Sequence, residues 1–143
     1  MVEEKSKVAI SRSKIGGEIP MVVSEIVDGV LYSGFFGTLD SARIRTITER
    51  ILDLVVGAKA SYLILDLGNV ETIDSAVAAH LTKIVDSIRA VGSEVVFCGI
   101  PPVIAQTLVE LGVNINLLVT KRDLKSALDH VYEKMGLALV KTK

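Results

Sequence analysis

The sequence predicts an α/β fold in which a mixed β-sheet opens with an antiparallel hairpin and continues through β–α crossovers. Two strand-like runs flank Asp28 and Gly29, and an Asp-Gly pair in that position is a strong hairpin signal. After the hairpin, apolar residues recur with the 3.6-residue period of a helix, and these helical stretches alternate with short aliphatic runs. The length of 143 residues allows one domain.

The first elements are the hairpin and a helix. The two strands are predicted over residues 19–27 and 29–36, where Val, Ile, Tyr and Phe are frequent. The helix is predicted to begin after Asp40, a suitable N-cap, and to end at Gly57. Its buried stripe consists of aliphatic residues at helical spacing: Ile44, Ile47, Ile51, Leu54 and Val55.

A second unit repeats this plan. A short strand over 62–67 precedes a helix that Asp74 caps and Gly92 ends, and the next strand covers 94–98. The buried stripe of this second helix is again aliphatic: Val77, Leu81, Ile84, Val85 and Ile88.

Two more helices complete the prediction. Pro101 and Pro102 begin the third helix, because proline is tolerated in the first turn, and Gly112 ends it. The apolar face of the third helix comprises Ile104, Leu108 and Leu111. A strand is then predicted over 115–119, and a last helix begins at Thr120 or Lys121. One face of the last helix is apolar: Leu124, Ala127, Leu128, Val131 and Met135.

The domain boundaries follow from the same pattern. Residues 1–18 are charged and end in a Gly-Gly pair, so we expect a flexible N-terminal tail. The folded domain is predicted over 19–137, followed by a C-terminal tail over 138–143. No signal-peptide or membrane-spanning pattern is found, which predicts a cytoplasmic protein.

Composition and motifs exclude several classes of protein. Sixteen basic and seventeen acidic residues give a net charge of −1, and six residues are aromatic, so neither the basic excess nor the stacking rings of a nucleic-acid binder are present. The single cysteine excludes an internal disulfide. The sequence contains no Gly-x-Gly-x-x-Gly, Walker A or Gly-x-Ser-x-Gly motif, so neither a cofactor nor an enzymatic activity is predicted.

The residues most often used in catalysis or metal binding are poorly placed for it. Cys98 ends a predicted strand without a basic neighbour, which favours a buried structural cysteine. His80 and His130 lie on helices without a ligand-spaced partner. Asp66, Glu71 and Asp74 surround one loop and carry the ligand type of Mg²⁺. The strand order does not match that of receiver domains with such a site, so no metal is predicted.

A short repeat is the most informative motif. Asp40-Ser41-Ala42 and Asp74-Ser75-Ala76 each stand at a strand-to-helix transition. If the preceding strands are parallel neighbours, right-handed crossovers place both serines at exposed helix N-termini on one face. Helix capping alone is one explanation, because Asp and Ser are both common at helix starts. The other is phosphorylation of Ser41 and Ser75, which would leave the fold intact and change the charge that a partner meets.

Four stretches resemble the STAS domain, the fold of anti-sigma-factor antagonists, and within it the scaffold proteins of the bacterial stressosome. They are residues 37–43, residues 65–67 together with 70–78, residues 89–92, and residues 99–112. The Ile-Asp-Ser element that ends at Ser75 is the general STAS signature. The Gly-Ile-Pro…Ile-Ala-Gln-Thr run is more specific to the stressosome branch. The resemblance covers 19–137.

The resemblance implies a STAS fold and a function without catalysis. In that family a kinase phosphorylates the Ser or Thr that follows Asp at the second helix, which corresponds to Ser75. Sensor-bearing paralogues have a second site at the first helix, which corresponds to Ser41. The implied partners are a Ser/Thr switch kinase, its cognate phosphatase, further copies of the chain (at least a dimer), and paralogous STAS scaffolds. The implied function is a scaffold that sequesters the kinase in a stress-signalling assembly and releases it on phosphorylation.

Two other interpretations remain open. One is a STAS module that binds a small molecule such as a nucleotide or a lipid at the same edge of the sheet. The other is an enzyme with an unrecognised site, which the absence of catalytic motifs disfavours.

Overall fold

The structure is a computed structural model that describes residues 21–137 and 140–142. Its strands are β1 (Met21–Val27), β2 (Val30–Thr38), β3 (Tyr62–Thr72), β4 (Glu94–Cys98) and β5 (Val119–Lys121). Its helices are α1 (Ser41–Ala58), α2 (Ser75–Ala90), α3 (Pro102–Glu110) and α4 (Leu124–Lys134). A 3₁₀ turn over Ile115–Leu117 precedes β5.

The sheet has the predicted mixed architecture. The strands follow one another in the order β1-β2-β3-β4-β5, with β1 antiparallel to β2 and all later pairs parallel. The three parallel connections contain α1, α2 and α3, and α4 follows β5, so all four helices begin at the edge where strands β2 to β5 end. That edge is where α/β sheets usually carry their functional groups.

Helices cover both faces of the sheet and bury the aliphatic stripes. The stripes of α1, α2 and α3 enter the larger core, in which Ile44, Ile47, Leu81 and Ile84 are all at most 1% exposed. On the opposite face, Ala127 and Val131 of α4 pack in a smaller cluster with strand residues. The predicted inward stripes are therefore confirmed except at Leu111, and the apolar composition is explained by a sheet covered on two sides.

The hairpin and the first crossover are correct in type, but several predicted boundaries are wrong. Strand β2 covers Val30–Thr38 instead of 29–36. Helix α1 does not end at Gly57 but continues to Ala58, where Lys59 adopts a left-handed conformation (φ 53°) and donates its N–H to the last turn. Strand β3 does not end at residue 67 but continues to Thr72. Gly68 and Asn69 resemble a turn in sequence, yet the backbone continues to pair with β2 as far as the Thr38–Thr72 pair.

Three predictions near the C-terminus are also wrong. Residues 115–117 form a 3₁₀ turn instead of a strand, because the Asn114 side chain accepts the Asn116 N–H at 3.1 Å. The last helix does not begin at Thr120 or Lys121, which belong to β5; its N-cap is Asp123, whose carboxylate accepts the Ser126 N–H at 2.8 Å. Leu111, predicted on the apolar face of the third helix, follows the end of α3 and is 40% exposed.

The described residues test the predicted domain boundaries only in part. The predicted tail over 1–18 lies outside the described residues, and the division into tails and a domain over 19–137 stays a prediction. Residues 140–142 have no regular secondary structure. Within the described ranges, none of the helices combines the length and the hydropathy needed to cross a membrane.

Candidate functional site

The two Asp-Ser-Ala segments form the N-termini of α1 and α2. The Asp40 carboxylate accepts the Arg43 N–H at 2.9 Å, and the Asp74 carboxylate accepts the Val77 N–H at 2.8 Å. Both aspartates are extended in backbone and are therefore N-caps in the usual geometry. The residues that follow them, Ser41 and Ser75, are the first residues of their helices and are exposed to solvent.

The end of the β2–β3 pair holds the two segments side by side. Thr38 and Thr72 are partners in the parallel register, and the Thr72 hydroxyl donates to the Thr38 hydroxyl at 3.2 Å. The Leu39 N–H donates to the Thr72 carbonyl at 3.3 Å. Since neighbouring strands lie about 4.8 Å apart, the two chains leave the sheet next to each other. The edge predicted to carry both serines is thus a single surface.

The two threonines belong to the candidate site, and the Asp-Ser-Ala repeat alone does not include them. Each stands three residues before its serine, so the repeat is in fact Thr-x-Asp-Ser-Ala, beginning at Thr38 and at Thr72. Extending the repeat two residues upstream would have revealed them. Because the two threonines are register partners, the two Asp-Ser-Ala segments that follow them leave the sheet at equivalent positions.

The surroundings of the two serines differ in charge. The Arg43 Nε lies 3.8 Å from the Asp40 Oδ2, so a cation stands in the first turn of α1. The first turn of α2, residues 75–78, contains no charged side chain. A phosphate on Ser41 would find a guanidinium nearby, whereas a phosphate on Ser75 would be left to the helix amides and to whatever binds from outside.

The cysteine and the two histidines are the other candidate chemical groups. Cys98 is fully buried, and burial, followed by the charges of Asp66 and Asp123, raises the pKa of its thiol to about 12, so the thiol is not an activated nucleophile. The pKa of His130 is lowered by burial and by Lys121 and Lys134. His80 lies half-buried on α2.

Asp66 forms hydrogen bonds within the sheet. Its carboxylate accepts the Tyr32 hydroxyl at 2.7 Å and the Gly68 N–H at 2.8 Å. It does not share a site with Glu71 and Asp74: over residues 21–137 and 140–142, no three His, Cys, Asp or Glu side chains are grouped closely enough to hold a metal ion.

A polar cavity of about 520 Å³ lies beside β5 and α4. Lys121, Arg122 and His130 line it, but Asp129 and Glu133 do so as well. The mixed charge gives an anion such as a nucleotide phosphate no clear advantage there. The small-molecule interpretation therefore gains no specific support from this cavity.

Comparison with known proteins identifies the family and the fold. The family model of the STAS domain matches residues 21–127. Among curated proteins, the chain is 37% identical over 111 residues to the RsbT co-antagonist protein RsbRD of Bacillus subtilis, a match that covers 78% of this chain and 40% of that protein. It is 28% identical over 123 residues to RsbRA of the same organism, covering 86% of this chain and 45% of the relative. The chain thus matches less than half the length of either relative.

Two solved structures resemble the fold. A variant of RsbS from Moorella thermoacetica superposes with a TM-score of 0.70 at 25% identity, covering 84% of this chain and 99% of that one. The unphosphorylated anti-sigma factor antagonist SpoIIAA superposes with a TM-score of 0.67 at 14% identity, covering 83% and 99%, and its likeness concerns the fold alone.

Proposed function

This chain belongs to the STAS domain family, and from that premise we propose that it is a phosphorylation-controlled scaffold that binds and sequesters a Ser/Thr switch kinase in a stress-signalling assembly. It is a binding protein and not an enzyme, as the co-antagonist relatives are. Those relatives are named for RsbT, and we take the partner to be a kinase of the RsbT type.

The observation that carries the proposal is the pair of identical Thr-x-Asp-Ser-Ala segments. Both place an exposed serine at a helix N-terminus, and the strands before them are hydrogen-bonded neighbours. A single partner that covers one serine therefore meets the other. Capping alone explains each Asp, but it does not require two serines to be presented on one surface.

Ser75 is the principal acceptor in this proposal, and Ser41 is the secondary one. The kinase transfers the γ-phosphoryl group of ATP, so a bond forms between Ser75 Oγ and phosphorus while the bond to the ADP oxygen breaks. The hydroxyl proton goes to a base of the kinase. Asp74 is occupied by the Val77 N–H, which suits a capping residue that orients the segment and not the catalytic base.

Phosphorylation changes the surface without breaking the fold. A phosphoserine adds about −1.5 to −2 charges at neutral pH. At the start of α2 the helix dipole and free amides favour that charge, while the Asp74 carboxylate opposes it. Because Ser75 is exposed, no buried contact is lost. The kinase therefore meets a changed charge on an unchanged fold, which releases it, and a cognate phosphatase restores the first state.

The assembly contains more than one STAS chain in this proposal. We infer at least a homodimer, joined by paralogous STAS proteins, in the cytoplasm. Support for an assembly comes from membership of the same family as the co-antagonist relatives. A chain from a solved structure of the stressosome shares the fold, with a TM-score of 0.65.

The test is phosphorylation of variants by Bacillus subtilis RsbT and ATP, followed by mass spectrometry of each site. Wild type should be phosphorylated mainly at Ser75, and Ser75→Ala should lose most of the incorporated phosphate. Ser41→Ala should keep the Ser75 signal, and the double variant should lose both. Ser61→Ala, an exposed serine away from both helix starts, is the matched control. Phosphorylation of Ser75→Ala to the wild-type extent, or none of wild type, contradicts the proposal.

A further inference from the structure

The surface formed by α3 and the segment after it is unusually apolar. Val103 and Val109 of α3 are 62% and 61% exposed. The Thr107 hydroxyl donates to the Val103 carbonyl at 2.8 Å, so this polar side chain is turned back onto the helix. A helix that presents aliphatic side chains to solvent is typical of an interaction surface.

A groove of about 360 Å³ connects this surface to Ser75. One wall is a stripe of short side chains on α2, Ser75, Ala79 and Thr82, at i, i+4 and i+7. The facing wall contains Leu111 and Leu117, which are 40% and 64% exposed. We call this space the Ser75 groove. The groove exists because the side chains on the α2 wall are short. The larger leucine side chains form the opposite wall.

The leucine wall is held in place. The Arg89 Nη2 of α2 donates to the Leu117 carbonyl at 3.2 Å, and the Arg89 Nε lies 3.6 Å from the Glu94 carboxylate. The Asn114 side chain accepts the Asn116 N–H and fixes the turn that carries Leu117. A preorganised wall loses little conformational entropy when a ligand enters, which favours binding.

The charge of the groove defines what fits it. Among the described residues that line it, none is charged. An uncharged groove with two partly exposed leucines suits an aliphatic side chain, because burying apolar surface there is favourable. A phosphate on Ser75 would place a strongly hydrated dianion on one wall. Withdrawing water from that phosphate to seat an apolar group is costly.

We propose that the Ser75 groove is the docking site for an aliphatic side chain of the kinase, and that phosphorylation of Ser75 expels this side chain. The inference rests on the proposed function and names the contact through which the phosphate acts. A second copy of this chain suits the groove less well. Ser75 lines the groove, so a lasting contact between copies there would cover the serine that the kinase must reach.

The test measures the dissociation constant for Bacillus subtilis RsbT by calorimetry. Leu117→Ser should weaken binding at least about tenfold, since truncation of an interface anchor has effects of that size. Ala79→Arg obstructs the groove from the opposite wall and should have the same effect. Val56→Ser is the matched control, because Val56 is 55% exposed on α1, away from the groove; its constant should stay within about twofold of wild type.

A double variant links the groove to the phosphate. Ser75→Asp should weaken binding in wild type, but its effect should shrink in the Leu117→Ser background, because both changes remove the same contact. Equal binding by wild type, Leu117→Ser and Ala79→Arg would overturn the docking site and leave the scaffold function intact. If Leu117→Ser dissociates oligomers in light scattering while the affinity for RsbT is kept, a second copy occupies the groove and the inference is wrong. Absence of wild-type binding would instead overturn the scaffold function.

Discussion

Gly99→Ala provides a direct test of how the strand ends are fastened beneath the two serines. Gly99 follows β4 with φ +67°, a conformation that favours glycine. A Cβ built there would lie 2.7 Å from the Asp66 Oδ1, closer than van der Waals contact allows. That same oxygen accepts the Gly68 N–H, and the other carboxylate oxygen accepts the Tyr32 hydroxyl. The substitution therefore disturbs the carboxylate that links the ends of β2, β3 and β4.

The expected loss has two parts. The left-handed backbone costs about 1–2 kcal/mol for a residue with a Cβ. Displacing the Asp66 carboxylate weakens its hydrogen bonds, which adds about 1–3 kcal/mol. The free energy of unfolding should fall by about 2–5 kcal/mol in total, a large share of the roughly 5–15 kcal/mol typical of a domain.

Gly92→Ala is the matched control, because it changes the backbone term alone. Gly92 has φ +91°, and a Cβ there would meet nothing within 4 Å. Its cost should be about 1–2 kcal/mol. Urea unfolding followed by circular dichroism measures both variants. A cost for Gly99→Ala no larger than that of Gly92→Ala would refute the role assigned to Asp66. In a Tyr32→Phe background the extra cost of Gly99→Ala should shrink, since one of the bonds is already absent.

Two further predictions concern pH and assembly. The raised pKa of Cys98 means that the unfolded chain releases its thiol proton first, above pH 9, so the free energy of unfolding should fall as pH rises from about 9 to about 12, by up to about 1.4 kcal/mol per unit. The pKa of Tyr32 is raised by burial and then by Asp66, so its titration adds to the fall in the free energy of unfolding above pH 10. In Cys98→Ala, the free energy of unfolding measured in urea should depend less on pH between pH 9 and 10. The full chain should scatter light as a dimer or larger at tens of micromolar, a range chosen for the roughly micromolar affinities of transient interfaces; a strict monomer there would contradict the proposed assembly.

Local sequence was sufficient for most of the fold. The Asp-Gly pair specifies the hairpin, the aliphatic stripes specify the helices, and the alternation of strands and helices specifies a parallel sheet. These signals act between residues a few positions apart, so they can be read without knowing the tertiary structure. The failures concern the ends of elements, some of which a local cap decides and others a distant strand. Strand β3 continues past Gly68 since β2 offers it a partner, and the 3₁₀ turn replaces a strand where β4 pairs with residues further along.

The candidate site divides in the same way. By itself the sequence placed Asp40, Ser41, Asp74 and Ser75 at helix starts and predicted that one edge of the sheet would carry them, because capping is local and crossovers have a fixed hand. Only the tertiary structure brought Thr38 against Thr72, closed the Asp66 carboxylate over Gly99, and set Leu117 across a groove from Ser75. Those contacts join residues far apart in the chain. Their existence depends on how the strands register and how the helices pack, and no pattern within a single segment encodes either.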